Sequence, residues 1–203
     1  MGSIFLCLST LLLCASAVRI EITNHCDHTI WSGIQGSTLP ENGGFQLNSG
    51  QSKSINVPDR WSAGRIWART GCNNNMDCET GFCKNNVQCG GAGGRPPASL
   101  AEFTLGGHGN QDYYDVSLVD GYNRQTVGCN SACTKFNTDQ YCCRGAFNAP
   151  QTCKSSTWPV NYPKYFKDQC PTAYSYAYDD EKSTFVCRGS GGRISPDYRV
   201  TFC

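Results

Sequence analysis

The sequence predicts an all-β fold, on three observations. Short runs of alternating apolar and polar residues recur along the chain with the two-residue period of half-buried strands. Twenty-two glycines supply turns between these runs, and no long stretch keeps the helical period. Fifteen cysteines among 203 residues mark a chain stapled by disulfides in an oxidising compartment.

The elements follow in chain order. Ile4–Ala15 is an apolar run that leads into Ala15, Ser16 and Ala17, an A-x-A cleavage pattern. Residues 1–17 are therefore expected to be a secretory signal peptide, and 18–203 a single exported domain. The run is too short to span a bilayer. Arg19–Thr23 alternates and is expected as the first strand, with Thr29–Ile34 as its hairpin partner. Pro40–Gly44 has turn chemistry, and Ser52–Val57 is a strand that stops at Pro58. In the run from Arg65 to Thr70, Ile66 and Ala68 face one way while Arg65, Trp67 and Arg69 face the other. Cys72–Cys89 is a loop-rich segment that depends on bridges.

The stretch from Arg95 to Asn123 is the centre of the chain. Leu100–Leu105 and Tyr113–Val119 are two alternating runs separated by Gly106, Gly107 and Gly109, the pattern of paired strands joined by a glycine-rich turn. Glu102, Asp115 and Asp120 lie in or beside them. Carboxylates on strands face water, pair with a cation or serve a site. Asp115 and Asp120 are an odd number of residues apart, so they share a face only if the chain bends after Val119, as Gly121 allows.

Beyond this stretch, Ser131–Phe136 is expected as a helical turn capped by Asn130 or Ser131. Tyr162–Asp168 is a second short helix, preceded by Pro159 and ended before Pro171. Tyr174, Tyr176 and Tyr178 alternate with Ser175 and Ala177, which predicts a strand with an aromatic face and, more sharply, a platform for sugar rings. Thr184–Cys187 and Tyr198–Phe202 are the last strands.

Composition narrows the partners. Seventeen basic residues against sixteen acidic give a net charge of +1, which argues against nucleic acid and anionic membranes. Cys7 and Cys14 belong to the leader, and an odd number of cysteines remains, so at least one thiol lacks a partner. The cysteine spacings are not those of paired zinc motifs, and His25, His28 and His108 fall at no ligand spacing. No metal or cofactor is expected.

Several blocks of the sequence resemble the thaumatin family in the family's own order: LNSGQSKSINVP, GRIWART, RPPASLAEFTL, YYDVSLVDGYN, CNSACTKFNTDQYCC, CPTAYSYAYDD with STFVC, and YRVTFC. The resemblance implies a thaumatin-like flattened β-sandwich with small disulfide-rich loop regions, here 72–89 and 129–182, and one or two short helices. It implies secretion to the extracellular space and a pathogenesis-related, antifungal defence role. It also implies five bridges: Cys26–Cys203, Cys72–Cys78, Cys83–Cys89, Cys133–Cys142 and Cys143–Cys153.

Two departures from the family pattern stand out. Phe82 occupies an aspartate position in the first loop region, and the glycines that lead that motif are absent. Only RQTVG separates Asn123 from Cys129, where longer family members carry an insert with three more cysteines. The second loop region is thus expected to be shortened, and Cys129, Cys170 and Cys187 lose their usual partners. The expected repair is a Cys129–Cys187 bridge with Cys170 unpaired, and Cys170–Cys187 is the alternative.

Large members of the family have an acidic cleft. Carried over, its residues resemble Arg65, Glu102, Asp115, Asp120 and Asp179, with Asp180 as a neighbour that could substitute. Clustered carboxylates raise at least one pKa, and a protonated acid beside an ionised partner suits glycoside hydrolysis. For catalysis Glu102 is assigned as the acid and Asp120 or Asp115 as its partner, while Arg65, Asp179 and Tyr176 would bind substrate. The first functional expectation is a monomeric binder of cell-wall β-1,3-glucan. A weak endo-β-1,3-glucanase and an inhibitor of a microbial glycan hydrolase are the alternatives.

Overall fold

Two sheets pack face to face in a computed structural model that describes residues 17–123, 128–179, 183–191 and 193–203. The expected leader, apart from Ala17, and the expected alternative Asp180 lie outside the described residues. The smaller sheet has three strands: β1 (Ala17–Asn24) lies between β4 (Ser52–Pro58) and β11 (Tyr198–Phe202). The larger has six, in the order β10 (Phe185–Cys187), β7 (Asp112–Ser117), β6 (Leu100–Thr104), β5 (Gly64–Arg69), β2 (Ile30–Gln35) and β3 (Gly44–Leu47). A two-stranded ribbon pairs β8 (Tyr122–Asn123) with β9 (Gly128–Cys129).

The alternation read from the sequence decides which side chains meet between the sheets. Val18, Ile20 and Ile22 point inward from β1 and are buried with Ile55 and Val57 of β4. They face Ile34, Ile66, Ala68 and Phe103 of the larger sheet. Apolar burial of this kind supplies the main stabilising term, roughly 25 cal/mol per Å² removed from water. The opposite face of β5 behaves differently. Trp67 and Arg69 are fully buried there beneath the 72–89 loop region rather than in the sandwich. Trp67 Nε1 donates to Gly81 O at 2.8 Å. Arg69 donates to Asn86 O at 2.8 Å and also to Val87 O. Burial lowers the Arg69 pKa to about 10, so it stays charged at neutral pH and its backbone acceptors replace water.

β2 is not the partner of β1. β1 pairs with β4 and, in parallel, with β11, whereas β2 belongs to the larger sheet. The cause is the buried Asn24, whose Nδ2 donates to His28 O and Leu47 O at 2.8 and 3.0 Å while its Oδ1 accepts from Cys26 N. These bonds turn the chain out of one sheet and into the other.

Among the described residues three α-helices follow: α1 (Ala132–Phe136), α2 (Asp139–Cys142) and α3 (Tyr162–Gln169). Ser131 caps α1 by accepting from Thr134 N at 3.1 Å. Among the described residues no helix is long and apolar enough to cross a membrane. The disulfides formed are Cys26–Cys203, Cys72–Cys78, Cys83–Cys89, Cys133–Cys142 and Cys143–Cys153.

The expected Cys129–Cys187 bridge does not form, and Cys129, Cys170 and Cys187 are free thiols. Register explains this. Cys187 lies opposite Asp112 at the start of β7. Cys129 packs beside Leu118 and Phe166, past the end of the same strand. The two sites are separated by a strand's length, on the order of 20 Å, whereas a bridge needs Cα atoms about 4.4–6.8 Å apart. The alternative Cys170–Cys187 fails for a related reason. Cys170 ends α3 near Phe166, on the Cys129 side of the molecule.

Asp112 pins one end of the sandwich. Fully buried, it accepts from Gly106 N at 2.7 Å, Ser195 Oγ at 2.6 Å and Tyr198 Oη at 2.5 Å. Burial, and then the bond to Asp112, push the Tyr198 phenol pKa up. Asp112→Ala strands three donors, so it is expected to cost about 3 kcal/mol or more. That corresponds to a fall in Tm of roughly 6–12 °C, measured by thermal unfolding with the disulfides intact. A shift of a degree or less would show that the hub does not hold the two sheets.

Candidate functional site

The site begins with a register. Arg65 of β5 lies directly opposite Glu102 of β6, and Glu102 lies directly opposite Asp115 of β7. Residues opposite one another in antiparallel strands project from the same face. The three side chains therefore form a row across the outer face of the larger sheet. Arg65 Nε donates to Glu102 Oε1 at 2.9 Å. Like charges directly opposite destabilise a sheet, and the guanidinium on the far side of Glu102 offsets the Glu102–Asp115 repulsion.

Asp120 joins the row through a turn. β7 ends at Ser117, Gly121 N donates to Leu118 O at 2.9 Å, and Ala98 N donates to Asp120 O at 3.2 Å. Gly121 has φ of 90°, and a Cβ there would meet Cys129 O at 2.2 Å, so only glycine fits. The reversal lets Asp120 overcome its odd spacing from Asp115 and come within electrostatic range of Arg65. Its pKa is raised by burial, and the positive charge of Arg65 opposes part of that rise. The carboxyl with raised proton affinity is thus Asp120, by desolvation rather than by crowding among carboxylates, and it is not the residue assigned as the acid from the sequence.

Two expected members are committed elsewhere. Asp179 Oδ2 accepts from Ser175 N at 3.0 Å and Ser175 Oγ at 2.7 Å, and it pairs with Lys167 Nζ at 2.8 Å. Lys167 also donates to Ala173 O and Ser183 Oγ. These bonds hold Asp179 in a network between α3 and the tyrosine segment. The bonds from Ser175 to Asp179 fold the segment back on itself, and the expected aromatic strand does not form: among the described residues the segment makes only an isolated bridge between Ser117 and Tyr174. Tyr176 packs edge-on against Trp158, with ring centroids 5.6 Å apart, in a small core around Cys143 and Cys153. Tyr178 Oη donates to Asn148 O at 2.5 Å. These rings brace local structure.

A different tyrosine shares the acidic face. Tyr113 lies opposite Thr104 on one side and Val186 on the other, one step along the strands from Glu102 and Asp115. It is partly exposed, and Val186 is half exposed. Sequence reasoning passed over it, although its even spacing from Asp115 carried the signal. The open part of the face thus combines a cation, three carboxylates and an aromatic ring. The loop region over Trp67 and Arg69 bounds it at one end.

A sequence model of the Thaumatin family matches residues 24–127 and 123–203. The chain belongs to the thaumatin family. Pathogenesis-related protein 5 of Arabidopsis thaliana is 42% identical over 242 positions, covering 98% of this chain and 96% of that protein. Thaumatin-like protein 1a of Malus domestica is 40% identical over 234 positions, covering 93% and 91%. A solved thaumatin-like xylanase inhibitor is similar over 51% of this chain and 70% of its own, at 31% identity and a TM-score of 0.41. The two family matches meet at residues 123–127, and the alignment with the Arabidopsis relative is longer than this chain. The relative therefore carries residues that this thaumatin-family chain lacks.

The raised Asp120 pKa fixes the sign of a pH effect. The folded state binds this proton more tightly than the unfolded state does, so ionising Asp120 costs stability above its folded pKa. The cost disappears below the unfolded pKa. Asp120→Asn is expected to raise Tm at pH 7 by about 1–3 °C, with the gap closing by pH 3. An Asn variant that is less stable at pH 7, or a gap that persists at pH 3, would contradict the assignment.

Proposed function

We propose that this thaumatin-family chain is a secreted defence protein that binds β-1,3-glucan of microbial cell walls at the acidic face. The observation that carries the reading is the Arg65–Glu102–Asp115 row with Tyr113 beside it. Carboxylates accept hydrogen bonds from sugar hydroxyls, a guanidinium donates to ring and hydroxyl oxygens, and an aromatic face covers the C–H surface of a sugar. The chain's formal charge of +1 gives little long-range steering, so short-range contacts carry the affinity. Its relatives' names, pathogenesis-related and thaumatin-like, support the defence setting.

One observation favours a second reading, weak endo-β-1,3-glucanase activity. Asp120 has a raised pKa in the neighbourhood of Arg65 and its partner Glu102. In that reading Asp120 is the general acid and Glu102 or Asp115 the nucleophile or base, which reverses the order expected from sequence. Binding is preferred because Arg65 is half exposed and the face is open, whereas hydrolysis needs positioned groups and restricted water.

Sedimentation with insoluble β-1,3-glucan and a reducing-end assay on soluble glucan separate these readings. Glu102→Gln keeps the side-chain shape and removes a charged acceptor, so it is expected to weaken binding about tenfold or more. Reducing ends are expected to stay at background. Unchanged binding by the Gln variant would overturn the proposed face. Hydrolysis by the wild type that Asp120→Asn abolishes would establish the enzymatic reading instead. Retention on an immobilised xylanase or glucanase, without retention on glucan, would point to inhibition of a glycan hydrolase.

A further inference from the structure

The larger sheet has a second open surface, on its inner side. At one end of the sandwich Tyr198 packs edge-on against Phe103 at 5.4 Å and lies 5.5 Å from Tyr114. These rings fill the space between the sheets. At the other end, among the described residues, the three-stranded sheet stops at β11 while the larger sheet continues through β6 and β7. The result is a cavity of about 340 Å³. Ala101 forms its floor and half-exposed Val116 its rim, Val200 and Phe202 one wall, and Tyr165 and Phe166 of α3 the other. Val116 is 49% exposed and Tyr165 67% exposed, so the cavity opens to solvent past large apolar groups.

We infer that this cavity binds a small amphipathic molecule with an apolar body of about ten carbons and one polar end, in the manner of a medium-chain fatty acid. Four observations carry the inference. The volume falls at the lower end of the range of small-molecule sites. With about 30 Å³ for a methylene-sized group, as for a water molecule, it holds on the order of ten such groups. The walls are mostly aliphatic and aromatic; polar side chains reach the lining at Thr70, Ser99 and Thr201 and, where a polar head would sit, at exposed Gln169 and half-buried His28. The opening also adjoins the place where this chain is shorter than its relatives. Tyr122 lines the cavity and directly precedes the segment in which the two family matches meet. Finally, the surface is concave. Two copies facing each other would leave both cavities empty, whereas a small ligand fills one.

The site is separate from the acidic face. Ala101 and Val116 alternate with Glu102 and Asp115, so the two surfaces lie on opposite sides of the same strands. A ligand here can bind whether or not the other face takes glycan.

The test is calorimetric titration of the secreted protein with decanoic acid, below its micelle concentration, alongside hexanoic acid. The expected result is saturable uptake of one decanoate per chain, and binding of hexanoate weaker by about a hundredfold for four fewer methylenes. Val116→Arg puts a charge at the mouth, and Ala101→Leu fills the floor. Each is expected to weaken decanoate binding at least tenfold, and Val116→Arg, at a half-exposed position, is expected to leave the circular dichroism spectrum and Tm unchanged. The inference is overturned if the wild type takes up no decanoate, if hexanoate binds as well, or if both variants bind like the wild type. It is also overturned if sedimentation shows a wild-type dimer that Val116→Arg dissociates, with no uptake by either protein, since a second copy then covers the cavity.

Discussion

The register that sets Glu102 between Arg65 and Asp115 controls both faces of the larger sheet. Side chains on a strand alternate with a period of two, so one residue of slip exchanges the faces. It would drive Glu102 and Asp115 into the sandwich and push Ala101 and Val116 outward. Such a state buries carboxylates without compensation, which is far costlier than losing a few apolar contacts. The acidic row is therefore both a candidate site and a restraint on the core. Asp112 adds a second restraint at the start of β7. It ties the hairpin to Ser195 and to the last strand through Tyr198.

The rest of the molecule supports this sheet with covalent links and one buried cation. Cys26–Cys203 joins residues 177 apart in sequence, and in the loop-entropy account a bridge of that span contributes roughly 5 kcal/mol. Two short bridges close the 72–89 region, which has little core of its own. Arg69 fastens that region to β5 through backbone carbonyls. The outer face is consequently covered at one end, by the loop over Trp67, and open at the other, where the carboxylates lie. The thiols Cys129, Cys170 and Cys187 remain free because the elements that carry them are held apart by packing around β7.

Much of this was legible in the sequence, and the failures have physical causes. The two faces of Arg65–Arg69 followed from period two alone, because the sandwich takes Ile66 and Ala68 while the 72–89 loop covers Trp67 and Arg69. The bend that recruits Asp120 was legible conditionally, since Gly121 was the only residue able to make it. The sheet to which β2 belongs was not legible, because the side-chain bonds of Asn24 decide it and strand periodicity does not record them. The tyrosine segment showed the spacing of a strand, but Ser175 and Asp179 close a turn and send Tyr176 and Tyr178 into a local core. Tyr113 was overlooked although its spacing from Asp115 was even. The inner cavity left no trace in periodicity, because it exists where the smaller sheet has no strand to lay over the larger one.

The central claim is that one face of β5, β6 and β7 recognises glycan and that the tyrosine segment does not. Backbone amide shifts recorded while a β-1,3-linked glucose oligomer is titrated into the isotope-labelled protein test it most directly. The account predicts saturable changes at Arg65, Glu102, Tyr113, Asp115 and Asp120, with Tyr176 and Tyr178 unmoved. Changes confined to Tyr174–Tyr178, or none at saturating sugar, would contradict it.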